Sequence, residues 1–506
     1  MAHLLGYDIG TSGTKVVLCD PEGHPLDTCT ATYPLHQPQP GWSEQDPQDW
    51  WVATQIATRS LLARHPAAKI AAIGLTGQMH GSVLLGADAA SSGGGAQPLR
   101  RALLWNDQRT RDECDEITRA AGSARALIGM VGNAAVTGFT LPKLLWVRRH
   151  EPRTWNAVRH VMCPKDFIAF RMTGAIATDV GDASGMLCLD VDRRDFSEPL
   201  LRRLDLERSI FPRALESSDQ VGKLTSRAAT ELGLPAHEIP VIIGSGDNQA
   251  GAIGAGVVSP GTALMILGTS GVLLAPSDAP RRDLSPQGPV GRLHTFCAAA
   301  GPRSWCVTGC MLAAGLSLRW ARDLLRPGVS YDELLAEAAT APPGCEGLVF
   351  LPHLTGERCP HPDPHARGGW IGLTSRHTRG HLLRAVVEGV AFTLGQIVDI
   401  ARASAVPVST LRASGAGFQS ALWRQLVADL TACPVLATGT QEGGGAQGAA
   451  LLAAVGIGRF RDVAQACAAA ASPAERTDPR TPDPGLTETR AIFDGMFPRI
   501  AGVWGT

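Results

Sequence analysis

An apolar, β-prone run from Leu4 to Ile9 is broken by Gly10-Thr11-Ser12-Gly13 and resumes over Lys15–Cys19. A break of this kind folds as strand, tight turn, strand. A turn made of glycines and hydroxyls leaves its backbone N–H groups uncovered, and such a loop can wrap a phosphate. Asp8 closes the first strand, where a carboxylate can hold a Mg²⁺ that bridges phosphate oxygens. Gly10, Thr11, Ser12 and Lys15 are therefore candidate phosphate contacts and Asp8 a candidate metal ligand. The spacing is not G-x-x-x-x-G-K-[ST], which excludes a Walker-type loop. Taken alone, the stretch equally suits an ordinary Asp/Gly/Ser hairpin.

A second hairpin of the same design removes that ambiguity. Ala263–Leu267 and Gly271–Leu274 flank Gly268-Thr269-Ser270, near the midpoint of the 506-residue chain. Duplicated domains restate their first hairpin at such a position. Two G-T-S-G turns, each opening half of the chain, predict two related domains that close on one nucleotide. The pair resembles the phosphate loops of the actin, sugar-kinase and chaperone ATPase superfamily.

Length and composition fit a large folded protein. The chain is 44% hydrophobic and 18% charged, with a net charge of −1, which argues against nucleic acid and anionic membrane as partners. A core strand starting at the N-terminus leaves no room for a signal peptide, and no apolar stretch suits a membrane span, so the expected location is the cytoplasm. The twelve cysteines lack C-x-x-C spacing and read as reduced core thiols. The closest pair, Cys306 and Cys310, is expected one helical turn apart.

Strands and helices alternate along the chain, which predicts an α/β fold. Trp50–Arg64 reads as an amphipathic helix with Trp51, Ile56 and Leu62 among its apolar positions. Ile70–Thr76 reads as a buried strand, Ala87–Gln97 as a mobile hairpin tip, and Leu103–Trp105 as a strand leading into Asn106-Asp107. The strand Ile239–Ile243 runs into Gly244-Ser245-Gly246-Asp247-Asn248, and a helix of small residues follows. The domain boundary is placed here, giving domains 1–244 and 245–506 with a hinge between them. In the second half, helices are expected over Met311–Leu325, Tyr331–Thr340, Gly380–Ser404, Ala421–Thr431 and Gly448–Val455. Strands are expected at Gly347–Leu351 and Thr410–Ala413, and Pro473–Pro484 reads as a loop.

A series of motifs in fixed order identifies a family. They are Asp8-Ile9-Gly10-Thr11-Ser12, Gly41-Trp42-Ser43-Glu44-Gln45-Asp46-Pro47, Gly77-Gln78-Met79-His80-Gly81, Leu104-Trp105-Asn106-Asp107, Pro142-Lys143-Leu144-Leu145-Trp146, Gly246-Asp247-Asn248, Leu267-Gly268-Thr269-Ser270-Gly271, Leu351–Arg358 and Val387-Glu388-Gly389. Over nearly its whole length the chain resembles the FGGY carbohydrate kinases, and within them the xylulokinase group. The resemblance implies two actin-like (ribonuclease H-like) ATPase domains flanking a catalytic cleft, with the sugar mainly on the first, ATP and Mg²⁺ mainly on the second, and closure around both. It implies phosphorylation of D-xylulose at the expense of ATP. Ribulose, gluconate or a polyol is the alternative substrate, and a non-catalytic sugar- or nucleotide-sensing protein the alternative class.

Site residues follow from the same motifs. Asp247 opens a helix after a strand; as a bare residue it suits an N-cap, and the resemblance makes it the general base and a possible second metal ligand. Met79 and His80 occupy the position that meets the sugar: imidazole can donate or accept to a hydroxyl, and Met can pack on carbon. Trp105, Asp107 and Asn248 are further expected substrate contacts, although Asp107 equally suits a turn. Trp42–Pro47 reads as a structural turn in which Asp46 caps the first helix. Gly415 and Gly417, and Glu442–Ala446, are the expected adenosine-side loops. Glu357, Arg358 and His361 are expected to reach the cleft on closure, or to form an ordered loop. A homodimer is possible.

Overall fold

The two Gly-Thr-Ser turns lie at the centres of two sheets built to the same plan. The computed structural model describes residues 2–234, 238–285, 289–437 and 444–504. In the first sheet, β1 (Ala2–Ile9) and β2 (Gly13–Cys19) form the N-terminal hairpin, β3 (Pro25–Thr32) extends it antiparallel, and β4 (Lys69–Gly77) runs parallel to β1. β5 (Gln220–Lys223) and β6 (Pro240–Gly246) complete the order β5-β6-β4-β1-β2-β3. The second sheet contains β7 (Gly261–Leu267), β8 (Gly271–Ser277), β9 (His294–Cys297), β10 (Trp305–Met311), β11 (Val408–Ser414), β12 (Val435–Ala437) and β13 (Glu475–Thr477), in the order β9-β10-β8-β7-β11-β12-β13. The cores β3-β2-β1-β4-β6 and β10-β8-β7-β11-β12 match strand for strand: antiparallel on the hairpin side, parallel on the other. This is an α/β fold of two like halves, as the paired turns predict.

Strand composition explains the sheets. Leu4, Leu5, Tyr7 and Ile9 of β1 are buried, as a strand covered on both faces requires. Helix α1 (Pro47–Arg64) covers one face, and the Asp46 carboxylate accepts from Gln48 N at 2.9 Å to cap it as expected. The other face carries α5 (Gly444–Gly456), which comes from late in the chain. Its backbone lies so close to β1 and β4 that a Cβ on Gly6 would meet Ala446 O at 1.8 Å and one on Gly74 would meet Ala449 O at 1.9 Å. The helix also packs on α2 (Asp247–Gly254), so the element carrying Asp247 is clamped between the halves.

Several local expectations are corrected. Trp305–Met311 is strand β10, and helix α3 begins only at Gly315 and runs to Leu325. Cys306 and Cys310 thus share a strand, and all twelve cysteines are free thiols. Ile56 is 53% exposed, because α1 buries the face defined by Trp50, Ala53, Ala57 and Leu61. Ala87–Gln97 loops out between Leu85 and Pro98, which bridge antiparallel as a hairpin requires; it opens with a 3₁₀ turn at Ala87–Ala90, and Ala89 and Ala96 are buried, so it is a packed loop and not a bare tip. The strand before Asn106 is only Ala102–Leu103. Within the proline-rich segment, Glu475–Thr477 forms the edge strand β13. The long helix α4 (Arg379–Ala403) is present as expected. No helix among the described residues is long and apolar enough to cross a membrane.

Candidate active site

Parallel strands bring the polar residues of the first half to one edge. Asp8 of β1 is in register with Thr76 of β4, and Gly77 of β4 with Gly246 of β6. Asp8, the Gln78–His80 turn and Asp247 therefore emerge side by side at the carboxyl ends of adjacent parallel strands, where α/β folds place their ligands. A cavity of about 260 Å³ opens there. From the first half it is lined by Thr11, Met79, His80, Trp105 and Phe139, and from the second by Asp247, Asn248, Ser270, His294 and Arg358. It is shared between the halves rather than belonging mainly to the first.

Two carboxylates dominate its electrostatics. Burial pushes the Asp8 carboxyl up to about 6 against the pull of Lys15. Burial, then repulsion from Asp8, pushes Asp247 up to about 7. Asp8 Oδ1 is buried without a hydrogen-bond partner, and Asp247 Oδ1 accepts Asn248 N at 2.7 Å. A cation between them would supply the missing partner and relieve the repulsion. The N-terminus of α5 adjoins this pair: a Cβ at Gly445 would lie 3.1 Å from Asp8 Oδ2 and 3.6 Å from Asp247 O. Gly445 thus abuts the Asp8 carboxylate, while Glu442 and Gly443 lie outside the described residues.

The Met79-His80 turn is held rigidly. His80 has φ +67°, and its carbonyl accepts Lys143 Nζ at 2.8 Å and Thr140 Oγ1 at 3.1 Å. Its Nδ1 lies 2.8 Å from Gly185 O, an acceptor only, so Nδ1 carries the proton and Nε2 is an acceptor. Burial holds the ring's pKa down to about 3, so it stays neutral. Met79 packs on Gly246, where a Cβ would sit 2.5 Å from Met79 Cγ.

Trp105 lines the cavity and donates Nε1–H to Thr11 Oγ1 at 3.0 Å, tying it to the first turn. Asp107 does not reach the cavity. It is fully buried, accepts Ser43 N at 2.7 Å, and is held by both Arg109 Nε and Nη2, so its carboxylate is committed to a turn. Of the Leu351–His361 loop, only Arg358 enters: Glu357 accepts Leu312 N and Arg358 N, and His361 stacks on Phe497 at 3.9 Å.

The second turn separates this cavity from a larger one. Ser270 faces the first cavity, whereas Gly268 and Thr269 line a cavity of about 630 Å³ with Gly417, Leu316, Arg319 and Tyr331. Gly417 is where the sequence placed a nucleotide contact. Gly415 is absent from the lining; its φ of +94° and the Leu267 carbonyl, 2.6 Å from where a Cβ would be, account for it. Gly10, Ser12 and Lys15 belong to the first turn and its return strand without lining either cavity. Phe139, His294 and Phe296 were not singled out from the sequence. They lie in unremarkable stretches and meet only through tertiary packing, His80 with Phe139 at 4.6 Å and Phe139 with His294 at 5.2 Å between ring centres.

Comparison with known proteins places the whole chain in one family. The family model for the N-terminal domain of the FGGY family of carbohydrate kinases matches residues 3–254, and that for the C-terminal domain matches residues 263–457. The chain is 40% identical to the xylulose kinase of Escherichia coli over 84% of both chains. It superposes with TM-score 0.89 and 33% identity on a xyloylose kinase from Brucella ovis, over 99% of both chains. It also superposes on a gluconate kinase from Lactobacillus acidophilus, with TM-score 0.89, 25% identity and coverage of 100% and 99%.

Proposed function

The chain belongs to the FGGY family of carbohydrate kinases and is an ATP:sugar phosphotransferase, and we propose that its reaction is ATP + D-xylulose → ADP + D-xylulose 5-phosphate. The observation that carries this reading is Asp247 at the end of β6, facing a cavity whose other walls bear Met79 and His80. The similarity to xylulose kinases supports the choice of sugar.

In this reading the sugar lies in the 260 Å³ cavity and the nucleotide in the 630 Å³ cavity, with its γ-phosphate at the Thr269-Ser270 wall. Asp247 orients the acceptor hydroxyl and takes its proton as the new O–P bond forms and the β,γ-bridging bond breaks. Phosphoryl transfer is loose, so positioning matters more than basicity. His80 Nε2 accepts from a sugar hydroxyl while Met79 packs on its carbon face. Asp8, with Asp247 beside it, would hold Mg²⁺, which when bound neutralises the phosphate oxygens. Asn248 and Trp105 complete the sugar wall, and the Gly10–Ser12 and Gly268–Ser270 turns with Lys15 hold the phosphates. Residues 1–244 and 245–506 would serve as the two closing units, in the cytoplasm. A coupled ADP assay on a panel of ketoses, aldonates and polyols tests the reading. Preferred turnover of D-xylulose supports it; preferred turnover of gluconate or a polyol replaces the substrate.

A further inference from the structure

Among the described residues the Arg358 guanidinium has no carboxylate partner, and it is set in the wall of a cavity shared by both halves of the molecule. Its backbone is fixed: Glu357 accepts Arg358 N at 2.8 Å and Leu312 N at 3.0 Å, and Cys359 N donates to Cys310 O at 3.1 Å. Glu357 also pairs with His353 at 3.1 Å, so it is occupied away from the arginine side chain. Among the described residues no ion pair or side-chain hydrogen bond is made by the Arg358 guanidinium, which projects toward the first half. A Cβ on Gly138 would come within 4.0 Å of its Nη2. His294 stands in the same wall, with Nδ1 buried and unpartnered.

The position of this charge along the cavity is informative. Arg358 Nη2 lies against Gly138, beside Phe139, whose ring is 5.2 Å from that of His294, whereas Asp247 lies with Asp8 beside Gly445 at the strand ends. The arginine thus stands on the Phe139–His294 side of the cavity and not on the side of the carboxylate pair. The chemistry of the substrate supplies the other half of the argument. A ketopentose closes its furanose ring between C2 and O5, so its 5-hydroxyl is free only in the open-chain form, which bears a C2 carbonyl. With O5 at Asp247, the carbonyl and the 1-hydroxyl must lie toward the other end.

We propose that Arg358, with His294 beside it, is a specificity-determining residue that selects the open-chain keto form by donating hydrogen bonds to the ketol end of the sugar. This rests on the proposed sugar-kinase reading of the same cavity. A site whose buried donors need an acceptor discriminates against an analogue that lacks it, because the donors are then left unpaired. Xylitol, with a hydroxyl in place of the carbonyl, meets the same Asp247 and His80 but returns less to the guanidinium.

The test is binding of D-xylulose and xylitol to the full-length enzyme by calorimetry, with kcat/KM wherever turnover is measurable, for wild type, Arg358→Met and Arg358→Lys. The expected result for Arg358→Met is a loss of about 10–100-fold for D-xylulose. For xylitol the loss should be within about threefold, with KM for ATP unchanged to the same extent. Arg358→Lys, which keeps the cation but not the planar fork, should fall between, and it decides the case if the Met variant does not fold. Equal losses for both sugars, or a loss confined to ATP, would overturn the proposal. Wild-type enzyme that binds no D-xylulose would refute the proposed substrate instead; the same comparison with D-ribulose and ribitol would then decide the role of Arg358.

Discussion

The two Gly-Thr-Ser turns share a sequence and a sheet position, yet they are held and charged differently. The strand before the first turn places Asp8 two residues ahead of Gly10; the strand before the second has Ile266 at that point. Lys15 of the first return strand corresponds to the buried Leu273 of the second. Side chains hold the first turn: Trp105 Nε1 on Thr11 Oγ1 at 3.0 Å, Gln45 Nε2 on Thr11 O at 2.7 Å, and Tyr33 and Gln78 on Gly10 O. Main-chain groups at the start of α3 hold the second, with Gly315 N on Gly268 O at 2.9 Å and Ala314 N on Thr269 O at 3.0 Å. A repeated frame has thus divided its work. One copy keeps the acidic group beside the cavity where transfer is proposed, and the other keeps an apolar strand and a backbone wall between two cavities.

The largest expected effect comes from the acidic side of that division. Asp247→Ala should lower kcat by about 10²–10⁴-fold with the protein still folded, as judged by circular dichroism and nucleotide binding. Activity within a few-fold of wild type would remove Asp247 from the role of base. Next, Asp8→Asn should cost about 10²-fold in kcat and raise the Mg²⁺ concentration needed for half-maximal rate. Ile266→Val, at the matching point of the other copy, should stay within about twofold. Comparable losses at both positions would break the proposed asymmetry.

A pH effect of intermediate size sharpens it. Asp8 and Asp247, pushed up to about 6 and 7, bind protons near neutrality in the free enzyme. Mg-ATP binding favours their ionised forms, so it should release up to about one proton near pH 6.5, read as a buffer-dependent enthalpy in calorimetry. Binding whose enthalpy is independent of the buffer would contradict the paired-carboxylate picture. Stability should follow the same sign. A carboxyl whose folded pKa is raised above its unfolded value destabilises the fold as pH rises through that interval. Asp247→Asn should therefore melt higher than wild type above pH 7, and the difference should vanish below about pH 4.

The smallest effect tests how the turns are held. Trp105→Phe removes one donor to Thr11 and should raise KM about 2–10-fold, the worth of one hydrogen bond. No side-chain truncation near Gly315 can remove the equivalent contact at the second turn, which is main-chain; Leu316→Ala should leave the turn in place while altering the larger cavity, proposed for the nucleotide, that it lines.

The sequence by itself determined the duplicated hairpins, the α/β alternation and the positions of Asp8, Asp247, Met79 and His80. Each of these is written locally, as glycine and hydroxyl punctuation after an apolar strand, and a strand end fixes where the next residue emerges. Local patterns failed where a segment answers to its neighbours. Met311, read as the start of a helix, ends strand β10, which pairs with β8 and also holds Cys306 and Cys310, and Ile56 faces outward because the sheet covers only one side of α1. Asp107 looked like a pocket residue, but Arg109 and the backbone of Ser43 occupy its carboxylate. Only the tertiary structure could place α5 beneath the first sheet, set His294, Phe296 and Arg358 opposite Met79 and His80, and let Ser270 face one cavity while Thr269 faces another. Those relations join residues far apart in the chain, and burial, register and charge compensation across the interface fix them where no local propensity can.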